Sequence, residues 1–402
     1  MDVRKNSVMM IIPNLGMGGA QSSFIKLANW LSESYSVIIV VFDKAFENIY
    51  PLNSDIKYLG EVSPGSMIGK LLNFRKRIRR LKQLKKELKP IVSISFLEGA
   101  DYLNVLAGKE DKKIISIRGS KRYDPHIKGF VGFVRRKILI PFLYKKADVI
   151  VTASKGLEVE FRNDYPSLIR KINTIPNGFQ LKFLQEKNNN SPYFIMVWAG
   201  RFCDEKGLDE LITIFTSCYR ADHSFRLLLL GDGTYREKLL KQLQDYEIKS
   251  LVTETYSRSL VEQNIVIFCN PGAAYERYLS IGDVFILTSP SEGFPNVIIE
   301  AMQHGLPVVS TDCKWGPREV LEPSLPYQTE ISYPHFGQYG ILLPLPVNKN
   351  ALNIWHTTLL EVRSDKSRLE FFRKKIYDAC KPFDQENVKK QWLNLMDELL
   401  VS

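Results

Sequence analysis

The chain has 402 residues, which is enough for two or three domains with separate hydrophobic cores. Its 45% hydrophobic and 25% charged residues are those of an ordinary soluble globular protein. The five cysteines are scattered without a CxxC pair, which argues against a zinc site or a disulfide framework and fits a reducing compartment. Residues 7–25 carry no charge, but they include Pro13 and three glycines, which indicates a strand and turn rather than a signal or membrane segment.

The net charge of +11 is distributed unevenly. Residues 1–182 contain 32 basic and 16 acidic side chains, a net charge of +16, whereas the rest of the chain carries −5. Such asymmetry is typical of contact with nucleic acid, an anionic membrane or acidic ligands. The composition by itself leaves these three classes of partner open.

The chain begins with a strand, a glycine loop and a helix. Val8–Ile12 is a short apolar run, residues 16–19 supply three glycines, and apolar residues then recur at helical spacing. Ser36–Phe42 predicts a second strand, which ends at Asp43. An acid at that place also fits a dinucleotide-binding fold. Gln21 stands where the third glycine of that fingerprint would be, so the residues argue against NAD binding.

Two amphipathic stretches concentrate the positive charge of the first half. Lys70–Lys89 contains ten lysines and arginines against one acid, with apolar residues at helical spacing. Phe130–Lys146 sets aromatic and aliphatic residues among five lysines and arginines. Both stretches predict attachment to an anionic membrane surface, at about 1 kcal/mol per basic residue. A solvated surface helix is a competing interpretation, and so is RNA binding, although no RNP-type, helix-turn-helix or zinc motif accompanies the charge.

Further apolar runs predict the remaining strands of the first half, at Ile91–Phe96, Ile114–Ile117 and Ala147–Ser154. The second of these runs leads directly into Arg118. An I-P-N-G turn follows at residues 175–178, and the polar segment Lys187–Ser191 has the composition of a linker. The first domain is therefore expected to end near residue 186.

The second half repeats the alternation of strands and helices. Its predicted strands include Phe194–Ala199, Phe225–Leu230 and Ile265–Phe268. A glycine-flanked turn with Arg201 and Lys206 follows the first of them, and two cations at the end of a buried strand suit a doubly charged leaving group. The alternation alone predicts two Rossmann-like domains with parallel sheets.

A strand, loop and helix near residue 290 carry two carboxylates. Val284–Leu287 predicts the strand, and the loop after it contains Glu292. Asn296 is the expected N-cap of a helix that carries Glu300 and that Gly305 ends. The free N–H groups of the helix N-terminus would lie between the two glutamates, ready for an anion.

This segment, S-E-G-F-P-N followed by Glu300 and G-L-P-V-V, resembles the E-x7-E signature of the family 4 retaining glycosyltransferases. Residues 175–178 and 200–207 resemble the family's I-P-N-G turn and G-R-x4-K-G loop. Residues 316–321 resemble the G-P-R-E-I/V-L ending of bacterial members that extend lipid-linked oligosaccharides. The resemblance implies the α/β GT-B fold, with two Rossmann-like doubly wound parallel-sheet domains facing across a cleft. The expected boundaries are 1–186 for the acceptor-binding domain, 187–380 for the donor-binding domain and 381–402 for a helix crossing back to the first domain.

The resemblance also implies the chemistry of the site. Arg201 and Lys206 would stabilise the departing diphosphate, Glu292 would bind hydroxyls of the donor sugar, and Glu300 would hold the ribose hydroxyls. The loop of Gly18 and Gly19 would approach the donor diphosphate with its backbone. The expected catalytic residues are Glu292, Arg201 and Lys206, and the expected donor-binding residues are Gly18, Gly19, Arg201, Lys206, Gly293, Phe294, Pro295, Asn296, Val297 and Glu300.

The chain departs from the family pattern at two places. Arg118 takes roughly the position of a family histidine near the donor sugar, so it is a candidate residue on the acceptor or sugar side. Residues 270–272 fall where the family usually keeps a glycine that contacts the base, which leaves the base open. The sequence contains no D-x-D motif, so we expect a nucleotide-sugar co-substrate without a divalent metal or other cofactor.

The implied activity is transfer of a hexose or N-acetylhexosamine from a nucleotide sugar, with UDP favoured, to a polyprenyl-diphosphate-linked glycan. This reaction would serve the synthesis of a capsule or lipopolysaccharide, on the inner face of the cytoplasmic membrane, with the enzyme bound peripherally. A nucleic-acid partner is not expected. The alternatives are a GDP-mannose-dependent mannosyltransferase and a non-catalytic glycan- or nucleotide-binding protein of the same fold.

Overall fold

The structure is a computed structural model, which describes residues 6–16, 18–44, 52–60, 66–122, 127, 129–183, 191–255, 257–270, 272 and 276–401. The chain divides into two compact units, Met1–Gly178 with Gln385–Ser402, and Phe179–Asp384. The division falls at the I-P-N-G turn, ahead of the boundary expected from composition, and the second change of unit lies at residue 384 rather than 380. The first four residues of the predicted linker Lys187–Ser191 lie outside the described part of the chain.

The first unit alternates strands and helices. Its elements are β1 (Ser7–Ile12), α1 (Gly19–Ser32), β2 (Ser36–Val41), β3 (Asp55–Tyr58), α2 (Met67–Leu88), β4 (Val92–Phe96), α3 (Glu98–Leu106), β5 (Lys112–Ile117), α4 (Gly129–Val134), a π-helical turn (Arg135–Leu139), α5 (Ile140–Tyr144), β6 (Val149–Thr152), α6 (Lys155–Asp164), a 3-10 helix (Pro166–Lys171) and β7 (Ile172–Thr174).

The strands of the first unit form one parallel sheet. Within the described residues it has seven strands in the order β3-β2-β1-β4-β5-β6-β7. The apolar run Val8–Ile12 is fully buried in β1, as expected for a central parallel strand covered on both faces. The chain order reverses between β1 and β4, so the carboxyl ends of these strands form a switch point, where doubly wound sheets bind ligands.

Two basic residues of α2 face the sheet and are buried. Arg77 Nη2 lies 2.8 Å from Asp43 Oδ2, and Lys85 Nζ lies 2.7 Å from Asp111 Oδ2. The other eight basic residues of Lys70–Lys89 are exposed. The predicted basic face is therefore present, but two of the ten cations assigned to it hold the helix against the sheet instead.

The segment from α4 to α5 has an apolar outer side and a fixed inner side. Phe130 is 80% exposed and Phe142 is 64% exposed. On the inner side, Arg135 Nε donates a 2.6 Å hydrogen bond to Glu98, and Lys121 Nζ lies 3.0 Å from the same carboxylate. Burial raises the pKa of Glu98, but Lys121 and Arg135 outweigh it and lower the pKa to about 2. The carboxylate thus stays charged and fixes the segment to α3 with its aromatic rings outward.

The second unit has the same alternation. Its elements are β8 (Phe194–Ala199), a 3-10 turn (Asp204–Lys206), α7 (Leu208–Ala221), β9 (Phe225–Leu230), α8 (Arg236–Asp245), β10 (Ser250–Thr253), α9 (Arg258–Gln263), β11 (Val266–Cys269), α10 (Glu276–Leu279), β12 (Val284–Leu287), α11 (Asn296–Gln303), β13 (Val308–Thr311), α12 (Pro317–Leu321), β14 (His335–Phe336), β15 (Ile341–Leu343), α13 (Lys349–Ser364), α14 (Lys366–Cys380) and a 3-10 turn (Lys381–Phe383).

The described strands of the second unit form a sheet of eight, in the order β10-β11-β9-β8-β12-β13-β15-β14. β14 runs antiparallel to β15, and the other neighbours are parallel. The strands predicted at Phe194–Ala199, Phe225–Leu230 and Val284–Leu287 are confirmed with those bounds. The chain order reverses between β8 and β12, which places a second switch point at the carboxyl ends of these strands.

The last helix, α15 (Gln385–Val401), belongs to the first unit. Val388, Trp392 and Met396 are buried in the same hydrophobic cluster as Val8 and Leu27. Trp392 is 2% exposed, so it is a packing residue.

Replacing Lys85 by alanine is expected to lower the free energy of unfolding of the first unit by about 3 kcal/mol, because the buried Asp111 loses its main partner. Lys113 remains 3.3 Å from that carboxylate and limits the loss. The matched control is Lys86→Ala on the exposed side of α2, which should change stability by about 0.5 kcal/mol or less. Native-state hydrogen exchange of the β4 and β5 amides measures the difference. Equal protection in the two variants would show that the buried pair is not needed.

Candidate functional site

A lysine and a glutamate meet at the switch point of the second sheet. Lys206 follows β8 and Glu292 follows β12, and Lys206 Nζ donates a 2.6 Å hydrogen bond to Glu292 Oε1. Their side chains are 22% and 10% exposed. Burial lowers the pKa of Lys206, but the Glu292 carboxylate outweighs it and raises the pKa above its ordinary value. Two of the predicted catalytic residues are therefore in contact, and the lysine is held in its charged form.

The backbone around Lys206 explains how the pair forms. Gly207 has a φ of 62°, in the left-handed region, and a Cβ atom there would lie 2.2 Å from the carbonyl oxygen of Thr288. The Thr288 hydroxyl donates a 3.3 Å hydrogen bond to the carbonyl of Lys206. Only glycine allows the turn to come this close to the end of β12. Thr288 was not predicted as a site residue, because its contact joins positions 82 residues apart.

Arg201 lies on the same edge, in the loop after β8. Its side chain is exposed, and its positive charge acts against the protonation of Lys206. The loop after β9 holds this loop in place, because Phe202 N donates a 2.9 Å hydrogen bond to Asp232 O. The three predicted catalytic residues thus belong to one edge of the sheet.

The loop that carries Glu292 is fixed to the segment after β13. Glu292 N donates to Lys314 O, and Trp315 N donates to Glu292 O, each at 3.2 Å. The Lys314 side chain is exposed beside this loop. Local sequence patterns do not predict this position, because only the backbone pairing brings Lys314 there.

The start of α11 differs from the prediction by one residue. Pro295 is the N-cap, with a ψ of 80°, and Asn296 is the first helical residue. No side chain caps this helix. The prediction of Asn296 as N-cap was therefore wrong, because the bend needed to enter the helix is already made at Pro295.

The predicted donor-binding residues around this helix divide into two groups. The Phe294 ring packs against Phe179 and Phe383, with centroids 6.4 and 5.1 Å away. Pro295 is buried against Gly316, where an added Cβ would lie 2.4 Å from Pro295 Cδ. These two side chains stabilise the loop. The other four, Gly293, Asn296, Val297 and Glu300, are partly buried.

The G-P-R-E-V-L segment holds the loop after β13 in place. Arg318 is 6% exposed, and its Nε and Nη2 both bond Asp312, the first at 3.0 Å. Its Nη1 donates a 2.7 Å hydrogen bond to Thr329 O. The basic residue of this motif therefore has a structural role in the second unit.

A cavity of about 850 Å³ opens at the carboxyl ends of β9, β10 and β11. Its lining includes Asp232, Glu254, Asn270 and Tyr278. Asn270 Nδ2 donates a 3.3 Å hydrogen bond to Asp232 Oδ2, which ties the loop expected near the base to the loop after β9. Pro271, in the same predicted loop, lies outside the described residues.

In the first unit, the glycine loop is held by two amide side chains. Asn14 Oδ1 accepts hydrogen bonds from Gly16 N (3.2 Å) and from Gln21 Nε2 (3.0 Å). Gly18 is the N-cap of α1 in an extended conformation, and Gly19 is its exposed first residue. Gln21, which breaks the dinucleotide fingerprint, thus fixes the loop instead of lining it.

Arg118 lies at the carboxyl end of β5, where its guanidinium covers the ring of Phe96 at 4.2 Å. Its Nη1 donates a 2.6 Å hydrogen bond to Asn177 Oδ1. Burial lowers the pKa of Arg118 to about 9, so it is still charged at neutral pH. Asn177 belongs to the I-P-N-G turn, and the sequence pointed to that turn but not to this contact.

Comparison with known proteins identifies part of the second unit. Residues 193–334 match the family model of the group 1 glycosyl transferases. The second unit contains a group 1 glycosyltransferase domain. The Lys206–Glu292 pair lies within this matched segment.

Similar proteins extend over nearly the whole chain. An uncharacterised glycosyltransferase of Methanocaldococcus jannaschii is 25% identical, over 90% of this chain and 95% of that protein. The N-acetylgalactosamine-N,N'-diacetylbacillosaminyl-diphospho-undecaprenol 4-alpha-N-acetylgalactosaminyltransferase of Campylobacter jejuni is 24% identical, over 96% of this chain and 98% of that protein. The structure of Anabaena HepE with UDP and glucose has a TM-score of 0.70 at 16% identity, covering 98% of this chain and 100% of that chain. The predicted GT-B fold, with two parallel-sheet α/β units, is confirmed.

Gly207→Ala is expected to destabilise the second unit by about 2–4 kcal/mol, the sum of left-handed backbone strain and a clash with the Thr288 carbonyl. Gly305→Ala is the matched control, because its φ is 76° but no atom lies within 4 Å of the added Cβ. The control should therefore lose only the backbone strain, about 1–2 kcal/mol. Urea unfolding measures both variants. If the two lose the same stability, close approach of the turn to β12 is not required.

Proposed function

We propose that this protein is a retaining glycosyltransferase that moves a hexose or N-acetylhexosamine from a UDP-sugar to a polyprenyl-diphosphate-linked glycan. The observation that carries the proposal is the Lys206–Glu292 pair at the switch point of the second unit. A cation fixed in its charged form at this edge suits a nucleoside diphosphate, which leaves with increasing negative charge.

The positions of the side chains support the roles that we propose for them in the second unit. Lys206 and the exposed Arg201 neutralise the departing diphosphate, in place of a divalent metal. Glu292 holds Lys206 and accepts hydrogen bonds from hydroxyls of the donor sugar. Glu300, one turn into α11, holds the ribose hydroxyls, and the backbone of Gly293, Asn296 and Val297 at the helix start adds the N-terminal dipole.

The 850 Å³ cavity is the proposed place of the base. It adjoins the loop of Arg201, because a Cβ on its lining residue Gly231 would lie 1.9 Å from Gly200 O. Polar side chains at its rim can pair with the edge of a base, and Tyr278 offers an aromatic face. The UDP bound in the Anabaena HepE structure supports UDP as the nucleotide.

In the proposed reaction, the bond between the sugar C1 and the diphosphate oxygen breaks, and a bond from C1 to an acceptor hydroxyl oxygen forms on the same face. The leaving phosphate oxygen takes the proton of that hydroxyl. The residues of the chain position the donor and stabilise the charge that develops. In the first unit, the open backbone at Gly18 and Gly19 gives a phosphate group access to the start of α1.

The acceptor proposal rests on the Campylobacter relative, whose name states a diphospho-undecaprenol substrate. Two surfaces of the first unit support a membrane-bound acceptor, namely the eight exposed cations of Lys70–Lys89 and the exposed aromatic residues of Phe130–Lys146. Within the described residues, no helix combines the length and the apolar character needed to cross a bilayer. We therefore propose peripheral binding to the inner face of the cytoplasmic membrane, in the synthesis of a surface polysaccharide.

The donor is tested by incubating the purified full-length protein with a panel of UDP-, GDP- and ADP-sugars in EDTA and measuring slow hydrolysis. We expect turnover of one UDP-sugar, lowered by about 10²–10³-fold in Lys206→Ala, because one preorganised cation is lost. Lys238→Ala is the matched control, since that lysine pairs with Asp209 on the exposed surface of the same unit.

Turnover of GDP-mannose alone would replace the UDP proposal, and a requirement for a divalent ion would contradict metal independence. Absence of turnover together with retained nucleotide binding would favour a non-catalytic protein of this fold. With a synthetic lipid-linked acceptor, NMR should find the anomeric configuration of the donor kept in the product.

Membrane attachment is tested with vesicles that contain anionic or only zwitterionic lipid. Replacing Lys76 and Lys82 by alanine should weaken partition into anionic vesicles about 30-fold, from about 1 kcal/mol for each charge. The control removes two exposed lysines from the second unit, Lys241 and Lys249. Equal weakening in both double variants would mean that net charge, rather than α2, drives binding.

A further inference from the structure

Arg118 is a cation without an acidic partner. Among the described residues, its polar contact is with the neutral Asn177 amide, and its remaining contact is with the Phe96 ring. Its Nε is buried and has no hydrogen-bond acceptor. The Nε–Nη2 edge, which is the edge that grips a carboxylate or phosphate through two parallel hydrogen bonds, is therefore unused by the protein.

Each buried cation in the described part of the first unit is paired with a carboxylate. Arg77 pairs with Asp43, Lys85 with Asp111, and Lys121 and Arg135 with Glu98. A charge that is partly removed from water without a counter-charge lowers stability, so the lack of a carboxylate beside the half-buried Arg118 brings no structural benefit. Arg118, by contrast, is half-buried at the carboxyl edge of the first sheet and pairs with no carboxylate among the described residues, which suits an anionic ligand as its partner.

The position of Arg118 agrees with a ligand site. Its side chain crosses from the end of β5 to the end of β4, beside the switch point of the first sheet. The next residue after Phe96, Leu97, has a φ of 71°, and a non-glycine residue in that region is the kind of strain that gathers at functional sites. The strained backbone of Leu97 and the guanidinium of Arg118 therefore lie at the same carboxyl edge of the first sheet.

A second cation lies close by. Lys26 Nζ donates a 3.4 Å hydrogen bond to Gly178 O, and it lines the same small cavity as Arg118 and Asn177. That cavity holds about 10 Å³, room for no more than a water molecule. An anion would therefore approach Arg118 from its Nη2 side rather than inside the cavity, because Nε itself is buried.

We propose that Arg118, positioned by Phe96 and Asn177, forms an oxyanion subsite in the first unit that binds a carboxylate or phosphate group of a substrate. The proposal deepens the glycosyltransferase function and rests on it only for the identity of the substrate. A carboxylate would come from an acidic sugar, and a phosphate from the lipid carrier or the nucleotide. Binding at the subsite requires a negatively charged group on the substrate, which neutral sugars lack.

The test uses the full-length protein and three probes, inorganic phosphate, glucuronate and neutral glucose. Binding is followed by titration of the Arg118 ¹⁵Nε resonance in the wild type, and by thermal shift. We expect a saturable response to phosphate or glucuronate and none to glucose. A response to phosphate alone identifies a phosphate group, and a response to glucuronate identifies an acidic sugar.

Arg118→Met should abolish the thermal response, and Arg118→Lys, which keeps the charge without the planar edge, should weaken binding at least tenfold. Arg122→Met is the matched control, because Arg122 lies in the same loop but is exposed and pairs with Asp164. Failure of either oxyanion to move the Arg118 resonance, or equal loss in Arg122→Met, would overturn the subsite. UDP-sugar hydrolysis by the same samples reports the donor function separately, so loss of one does not imply loss of the other.

Discussion

The ion pair between Lys206 and Glu292 determines the form of the candidate site in the second unit. Burial by itself would favour a neutral lysine, but the carboxylate 2.6 Å away reverses this effect and keeps the charge in place before any ligand arrives. Gly207 allows the contact because it has no Cβ atom, and the backbone pairing of Glu292 with Lys314 and Trp315 holds the other partner. Lys206 and Glu292 are thus oriented when the protein folds, and no free energy is needed to reorient them during the reaction.

Parallel topology brings these distant residues together. Lys206 and Glu292 are 86 positions apart, yet the strands that precede them are neighbours in the sheet. Because the chain winds outward in both directions from β8 and β12, the crossover connections lead away from the carboxyl edge between these two strands. The first sheet repeats this arrangement at β1 and β4, next to Arg118. Each unit therefore has a charged group beside its own switch point.

The sequence predicted elements well where the signal is local. Apolar runs between turn residues predicted β8, β9 and β12 with their observed bounds. A strand that is buried on both faces has apolar side chains at consecutive positions, so its extent can be read from the sequence. Motif residues such as Lys206 and Glu292 were also found, but their contact was not. The ring packing of Phe294, a predicted donor-binding residue, on Phe179 and Phe383 was not predicted either. The hydrogen bond between Arg118 and Asn177 could not be predicted from a local sequence pattern, because the two residues are 59 positions apart.

The helix α2 shows that the number of basic residues in a segment can exceed the number exposed on its surface. Arg77, Leu81 and Lys85 follow each other at four-residue spacing and are all buried, so one stripe of the helix faces the sheet. Apolar periodicity predicts such a stripe, but it does not predict that two of its positions are cations whose partners, Asp43 and Asp111, lie after β2 and before β5. The cations on the remaining faces have no such constraint. The electrostatic attraction between Lys70–Lys89 and an anionic surface would therefore come from the eight exposed cations of this stretch.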